Sequence, residues 1–222
     1  GDIMNFRIGE ELATASGIEM SHVIVNDDIA IREPENRRGV AGTVLVHKIA
    51  GARAETRAAL DDVRKIADRV ISNVRTMGVA LSSCINPSVG RPIFSIGENQ
   101  MEIGIGIHGE AGVERTEIAT ADTIAEILYT RVSSDLGLKK GEEVFLLVNG
   151  MGGTPLMELL IVSRKVREML NWDGISVFRA TAGNYVTSLE MAGFSLSLLR
   201  VDEEMKQMLL APQSTPAFPT IV

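Results

Sequence analysis

Hydrophobic and polar positions in the first part of the chain follow a helical period, with short apolar strands between. Residues 1–17, "GDIMNFRIGEELATASG", have apolar side chains at helical spacing and predict a helix that ends at Gly17. The segment "SHVIVNDDIAI" predicts a short strand that runs into a polar turn. Residues 42–78 again show a helical pattern, with one helix or with two separated at Gly51. "VALSSCI" is the next predicted strand.

The second part of the chain alternates strands and helices. After the Pro- and Gly-containing loop 86–100, the pattern predicts the strand "MEIGIGIHGEAG" and the helix "TADTIAEILYTRVSSDLG". The strand "EEVFLLVNGMGGTP" and the amphipathic helix "LMELLIVSRKVREMLNW" come next. The strands "ISVFRATAG" and "GFSLSLLRVD" then enclose the helix-like "VTSLEMA", and a Pro-rich tail follows. This alternation predicts an α/β protein with a largely parallel or mixed sheet.

Composition and charge exclude some classes of function. The 222 residues are enough for a sizeable core, and 45% of them are hydrophobic. The formal net charge of −7 argues against a nucleic-acid binder, because such a protein needs basic residues to neutralise phosphates. A single cysteine, Cys84, cannot form an intrachain disulfide, which favours a reducing compartment. No leader and no long apolar run is evident, so we predict a soluble, cytoplasmic protein that does not bind membranes.

His108 stands out because glycines surround it. Gly104 and Gly106 leave one face of the predicted strand without side chains, and glycine in a strand often marks a close approach by a ligand or another backbone. Glu110 supplies a carboxylate two residues away. A neutral imidazole can act as base, ligand or nucleophile near pH 7. A lone histidine is also often a satisfied structural residue, and that interpretation stays open from the residues alone.

Other polar motifs have simpler explanations. His22 and His47 lack metal-ligand spacing to each other or to His108, so we interpret both as structural and predict no metal site. The turn "NGMGGTP" matches no nucleotide-binding motif, which favours a tight connection from strand to helix over an anion site. Asp27 and Asp28 fit an Asn-Asp-Asp turn better than an acid-base pair. Asp2 is one acid near the start of a helix.

Long stretches nonetheless resemble a known family in order along nearly the whole chain. They include "VNDDIA", "RRGVAGTVLVHKIAGA", "MEIGIGIHGEAG", "NGMGGTPLMEL" and "AGNYVTSLEMAGFSLSLLRVD". The chain is similar to the substrate-binding K subunit of the dihydroxyacetone kinase family. The resemblance implies two similar α/β lobes, each with a mixed or parallel sheet covered by helices. Residues 1–84 are then the later part of a first lobe that is only partly present, and residues 85–222 form the second lobe.

The same resemblance implies roles for two residues. The family's histidine in "GIHGE" adds to the ketone carbon of dihydroxyacetone and forms a hemiaminal, and it matches His108. The acid of the "GD" motif takes the proton of the hydroxyl that is phosphorylated, and it matches Asp2. Glycines beside the histidine are then expected to let the three-carbon substrate lie against the backbone. The implied reaction converts dihydroxyacetone to dihydroxyacetone phosphate, a phosphotransfer to an alcohol.

The resemblance also implies partners. The family has a segment before "GD" with further binding residues, so we expect this chain to be the later part of a longer polypeptide. No nucleotide domain follows residue 222, which favours the phosphotransferase-system arrangement. In that arrangement the chain holds no cofactor, a separate L subunit carries ADP or ATP with magnesium, and an M component donates phosphoryl groups. Related K subunits dimerise, so the resemblance also leads us to expect a homodimer.

Two alternatives remain from the sequence. One is a non-catalytic co-regulator that keeps the histidine and senses dihydroxyacetone for a transcription factor. The other keeps the chemistry but acts on another small ketose or aldose, such as a four-carbon sugar.

Overall fold

Residues 2–215 and 217–218 are described by the computed structural model, which forms one main sheet with helices on both sides. The α-helices are α1 (Asp2–Ala15), α2 (Thr43–Glu55), α3 (Leu60–Asn73), α4 (Ala121–Leu136), α5 (Leu156–Trp172) and α6 (Glu203–Leu210). The strands are β1 (Val74–Ala80), β2 (Ile85–Asn86), β3 (Arg91–Pro92), β4 (Gln100–Ile103), β5 (Glu114–Glu117), β6 (Glu143–Gly150), β7 (Ser176–Gly183) and β8 (Gly193–Arg200). No helix among these residues is long and apolar enough to span a membrane.

The main sheet has six strands in the order β5-β4-β1-β8-β6-β7. Strands β6 and β7 are parallel and are joined through α5, whereas the other neighbouring pairs are antiparallel. Strands β2 and β3 form a separate small hairpin. The predicted α/β class with a mixed sheet covered by helices is therefore confirmed.

Both faces of the central strand β6 are buried. Val144, Leu146 and Val148 pack into a cluster with residues of α4 and α5. The intervening Phe145 and Leu147 pack on the other face, against residues of α2, α3 and α6. Because side chains alternate across a strand, this continuous apolar run supplies two cores at once.

Local signals explain the helix ends that were predicted. The Thr120 hydroxyl accepts a hydrogen bond from the Thr123 N–H at the start of α4. Gly137 ends α4 in the left-handed region, with φ of 62°. Gly17 plays the same part after α1: its φ is 80°, and the Ile18 N–H donates to the Ala13 carbonyl as in a Schellman motif.

The helical prediction for residues 42–78 was wrong at two points. Helix α2 continues through Gly51, and the break comes after Glu55, where Arg57 has a φ of 59°. The second helix stops at Asn73, and β1 begins at Val74 rather than at residue 79. Pairing with β8 along the whole of β1 makes the difference, since a central strand gains hydrogen bonds on both edges.

Two other predictions also differ from the structure. "SHVIVNDDIAI" contributes only an isolated bridge between Asp28 and Thr76, and "VTSLEMA" forms turns instead of a helix. Helix α6 was not predicted, although Asp202 caps it by accepting the Met205 N–H. The predicted boundary between residues 84 and 85 separates β1 from its sheet partners β4 and β8. The division of a longer protein into two lobes stays a prediction.

Candidate functional site

His108 lies on a loop rather than on a strand. Strand β4 stops at Ile103, and residues 104–113, here called the His108 loop, connect it to β5 in an antiparallel hairpin. The strand predicted for residues 101–112 is therefore too long. Gly104 turns the chain out of the extended region with a φ of 83°. The loop is closed at its base, where the Val113 N–H donates to the Ile103 carbonyl at 2.8 Å.

The glycines of the His108 loop make room for other parts of the chain. A Cβ on Gly106 would lie 2.1 Å from Glu110 Oε2 and 2.8 Å from Arg38 Nη1. A Cβ on Gly109, whose φ is 80°, would lie 2.1 Å from the Ile93 side chain. A Cβ at either glycine would therefore meet the protein's own side chains. That the glycines let the substrate lie against the backbone stays a prediction.

Glu110 holds the His108 side chain from one direction. The His108 ring Nδ1 lies 3.1 Å from Glu110 Oε1, and the His108 backbone N–H donates to Oε2 at 3.0 Å. An ionised carboxylate only accepts hydrogen bonds, so the neutral ring carries its proton on Nδ1 and has a free lone pair on Nε2. The side chain of His108 is 67% exposed. The arrangement therefore presents an oriented nitrogen nucleophile or base to the solvent side.

The pKa of Glu110 is lowered, which keeps its carboxyl ionised as a hydrogen-bond acceptor. Partial burial raises its pKa, but hydrogen bonds from its own backbone and from the backbone and ring of His108 outweigh that effect. The net result is a pKa below the ordinary value for glutamate. Glu110 is therefore ionised at neutral pH and can accept the hydrogen bond from the imidazole N–H.

A buried ion pair lies beneath the His108 loop. The Arg38 guanidinium contacts the Asp28 carboxylate through Nε at 2.8 Å and Nη2 at 2.6 Å. Arg38 Nη2 also donates to the Gly104 carbonyl at 3.1 Å. Burial raises the pKa of Asp28, while hydrogen bonding to the Ala30 N–H and the charge of Arg38 oppose the rise. Sequence reasoning missed Arg38, whose only signal was its place in the pair "RR" at 37–38.

The two neighbouring aspartates have structural roles, as predicted for a turn. Asp28 Oδ1 accepts the Ala30 N–H within the turn. The fully buried Asp27 accepts the backbone N–H groups of Val40 and Gly42 just before α2, and burial raises its pKa. Neither aspartate is part of the cavity wall described next.

One cavity of about 760 Å³ brings the two predicted site residues together. Asp2, in the first turn of α1, and His108 both line it. His22 and His47, which were interpreted as structural, line it as well, and His22 Nδ1 lies 2.7 Å from Glu10 Oε2. The other polar residues in the wall are Arg7, Asn36, Arg37, Arg38, Thr43 and Glu110.

Metal-ligating side chains and the glycine-rich turn were the two remaining candidates for a ligand site. Among the described residues, no group of three or more His, Cys, Asp and Glu side chains has the geometry to hold a metal ion. In the turn "NGMGGTP", the Gly152 N–H donates to the Asn184 side chain and the Gly153 N–H to the Met191 carbonyl. These amides are satisfied within the protein, in agreement with a tight connection from strand to helix.

Comparisons with known proteins show to which family the chain is similar. The family model of the Dak1 domain matches residues 1–217. The chain is 47% identical over 222 residues to the dihydroxyacetone-binding subunit DhaK of PTS-dependent dihydroxyacetone kinase 1 from Listeria innocua. That match covers 98% of this chain and 68% of the relative. The chain spans about two thirds of the length of the curated DhaK subunits that it matches.

Two solved structures extend the comparison. The dihydroxyacetone kinase operon co-activator Dha-DhaQ superposes with a TM-score of 0.89 and 33% identity, covering 95% of this chain and 66% of the other. The native dihydroxyacetone kinase of C. freundii superposes with a TM-score of 0.85 and 31% identity, covering 99% of this chain and 40% of the other. One of these similar structures is thus a kinase and the other a co-activator.

Proposed function

The chain belongs to the Dak1 domain family, and from this premise we propose that it binds dihydroxyacetone for phosphorylation. His108 Nε2 adds to the ketone carbon and holds the substrate as a hemiaminal, while a terminal hydroxyl is converted to the phosphate ester. The observation that carries the proposal is the hydrogen bond between His108 Nδ1 and Glu110, because it leaves Nε2 free in the cavity that Asp2 also lines.

The addition is chemically balanced. The Nε2 lone pair forms the bond to the carbonyl carbon, and the electrons of the carbonyl π bond move to its oxygen. That oxygen gains one proton, and the ring loses one from Nδ1 to restore neutral imidazole. The Glu110 carboxylate stabilises the imidazolium formed during attack, as carboxylates beside catalytic histidines do.

A covalent bond solves a recognition problem for so small a substrate. An uncharged three-carbon polyol offers little surface, so non-covalent contacts alone provide little affinity. Glycerol lacks a carbonyl and cannot form the adduct, which gives discrimination that pocket shape would not provide. The bond also holds the terminal hydroxyl in place for phosphoryl transfer, a reaction that depends strongly on positioning.

Asp2 is the proposed general base. Its carboxylate lies at the start of α1 in the same cavity wall as His108, where it can accept the proton of the attacking hydroxyl. Nucleotide and magnesium are proposed to bind a separate L subunit, with an M component as phosphoryl donor, because the DhaK relatives are named as PTS-dependent. We further propose a homodimer and, from the lone buried Cys84, a cytoplasmic location.

A second candidate function is a dihydroxyacetone-binding co-regulator without kinase activity. The similarity to the co-activator structure favours it, since that superposition is as close as the one with the kinase. Both candidates use His108 in the same way, and they differ in whether phosphoryl transfer follows.

The decisive experiment uses the protein as it is encoded, with any preceding residues kept. Native mass spectra are recorded with dihydroxyacetone or glycerol for the wild type, His108→Ala and the control His47→Ala, which changes another histidine of the same cavity. We expect a ketone-specific adduct in the wild type and the control, and none in His108→Ala. An adduct that survives in His108→Ala would exclude the covalent role of this residue.

A coupled assay with nucleotide-loaded L subunit then separates the two candidate functions. Formation of dihydroxyacetone phosphate by the wild type, lost in Asp2→Asn while the adduct remains, supports the kinase. An adduct without any turnover in the wild type supports the co-regulator.

A further inference from the structure

The His108 loop rests on a charged group that the proposed reaction does not use. Arg38 reaches under the loop from the segment before α2, and its side chain is 21% exposed. Its guanidinium donates to the Asp28 carboxylate and to the Gly104 carbonyl, where the loop begins. Asp28 is 1% exposed, so the base of this fork is held inside the protein.

The same guanidinium also approaches the carboxylate that orients His108. Arg38 Nη1 and Glu110 Oε2 both lie close to the position that a Cβ of Gly106 would take, at 2.8 and 2.1 Å from it. The pKa of Asp28 is influenced by the charges of both Arg38 and Glu110, which also indicates that the three groups are neighbours. Arg38 is therefore paired with Asp28 and lies near Glu110 at Gly106, and Glu110 in turn contacts the imidazole.

We propose that Arg38 is a positioning residue for the His108 nucleophile. By tying Asp28 to the Gly104 carbonyl and placing a positive charge beside Glu110, it keeps that carboxylate turned toward His108 Nδ1. Without the guanidinium, the space under Gly106 opens and the carboxylate can rotate into it. The ring then loses its fixed acceptor, and the proton is free to move to Nε2, which removes the nucleophilic lone pair.

This inference deepens the proposed function and rests on it, but its test has a readout that needs no ligand. The ¹⁵N-labelled imidazole signals of His108 are assigned by their loss in His108→Ala, and those of His22 and His47 in the same way. Long-range ¹H–¹⁵N spectra distinguish a proton on Nδ1 from one on Nε2. His22 and His47 serve as internal controls because neither makes a hydrogen bond to Arg38 or Glu110 in the structure.

The variants are chosen so that loss of folding does not hide the effect. Arg38→Met leaves the buried Asp28 unpaired, whereas Asp28→Asn combined with Arg38→Met removes both charges and is expected to fold. Arg75→Met is the matched control, since the Arg75 side chain is also 21% exposed and pairs with Asp135, but it is not part of the cavity wall. Arg38→Lys keeps the charge and loses the forked geometry.

In the wild type we expect His108 to carry its proton on Nδ1. In the double variant a population with the proton on Nε2 appears, and the equilibrium constant for the dihydroxyacetone adduct falls by about tenfold or more, as when groups that orient a ligating histidine are removed. Arg38→Lys gives an intermediate loss, and Arg75→Met leaves both readouts unchanged.

An unchanged tautomer and unchanged adduct constant in the double variant would overturn the positioning role. Failure of the proposed function has a different signature. In that case the wild type itself forms no adduct, and the NMR comparison still decides whether Arg38 controls the tautomer of His108.

Discussion

The two candidate site residues lie on regions that differ in how much apolar surface they bury and in how many contacts hold them. The His108 loop is closed by backbone hydrogen bonds to the central sheet, has the buried Ile105 in its first half, and is held by Arg38 from below. Helix α1, which carries Asp2, contributes no buried side chain. The contrast teaches that the described residues by themselves determine the geometry at His108. They determine the geometry at Asp2 far less, because stability is lowest where few apolar contacts are buried.

The largest expected effect compares one apolar residue from each region. Ile103→Ala should lower the free energy of unfolding by about 2–5 kcal/mol, because this buried side chain lies at the base of the His108 loop. Leu12→Ala should change it by less than about 0.5 kcal/mol, since Leu12 is exposed on α1. Urea unfolding followed by circular dichroism measures both. Similar losses in the two variants would show that α1 is covered by another part of the protein, and the contrast would end.

A second comparison uses one glycine from each region. Gly112→Ala in the His108 loop should destabilise by about 1–3 kcal/mol, because the new methyl group would lie 2.4 Å from the Ile103 carbonyl oxygen, a backbone atom that cannot move aside. Gly9→Ala in α1 meets no atom within 4 Å and should stabilise by about 0.5–1 kcal/mol through its better helix propensity. Thermal unfolding midpoints should therefore move in opposite directions. If Gly112→Ala leaves the midpoint unchanged, the loop is less tightly packed than its geometry indicates.

The smallest effect concerns pH. Folding lowers the pKa of Glu110, so its ionised carboxylate stabilises the folded state at every pH above the ordinary pKa that glutamate has in the unfolded chain. This contribution is lost as the pH falls through the lower folded pKa. It should amount to less than about 1 kcal/mol, because the pair with His108 is partly exposed. Unfolding curves for the wild type and Glu110→Gln from pH 7 to 3.5 measure it.

Glu110→Gln should show a smaller loss of stability on acidification than the wild type. Glu10→Gln is the matched control on α1, because Glu10 also accepts a hydrogen bond from a histidine, His22. Parallel curves for the wild type and Glu110→Gln would contradict the role of ionised Glu110 in holding the loop.

Much of the fold was accessible from local sequence signals. The Thr120 cap and Gly137 bracket α4, and the apolar run of β6 predicts a buried strand. Where the prediction failed, distant partners decided the conformation. Residues 74–78 continue a helical pattern, yet they become strand because β8 pairs with them. "VTSLEMA" has a helix-like composition, yet it turns sharply, with Leu189 at a φ of 54°.

The candidate site divides in the same way. The glycines around His108 marked it in the sequence, and the family resemblance supplied both its role and that of Asp2. Nothing local identified Arg38, because an arginine in "RR" looks like an ordinary surface charge until its partner is known. Its partner Asp28 is adjacent to it only in the folded chain.

The sequence by itself determined the α/β class, the helices with clear caps, and the histidine flanked by glycines, because those signals act over a few residues. Tertiary structure alone decided where β1 begins and why the glycines are needed. It also decided which charges lie beneath the nucleophile. Those properties depend on residues far apart in sequence, such as Asp28, Arg38 and Glu110, which come into contact only when the central sheet assembles.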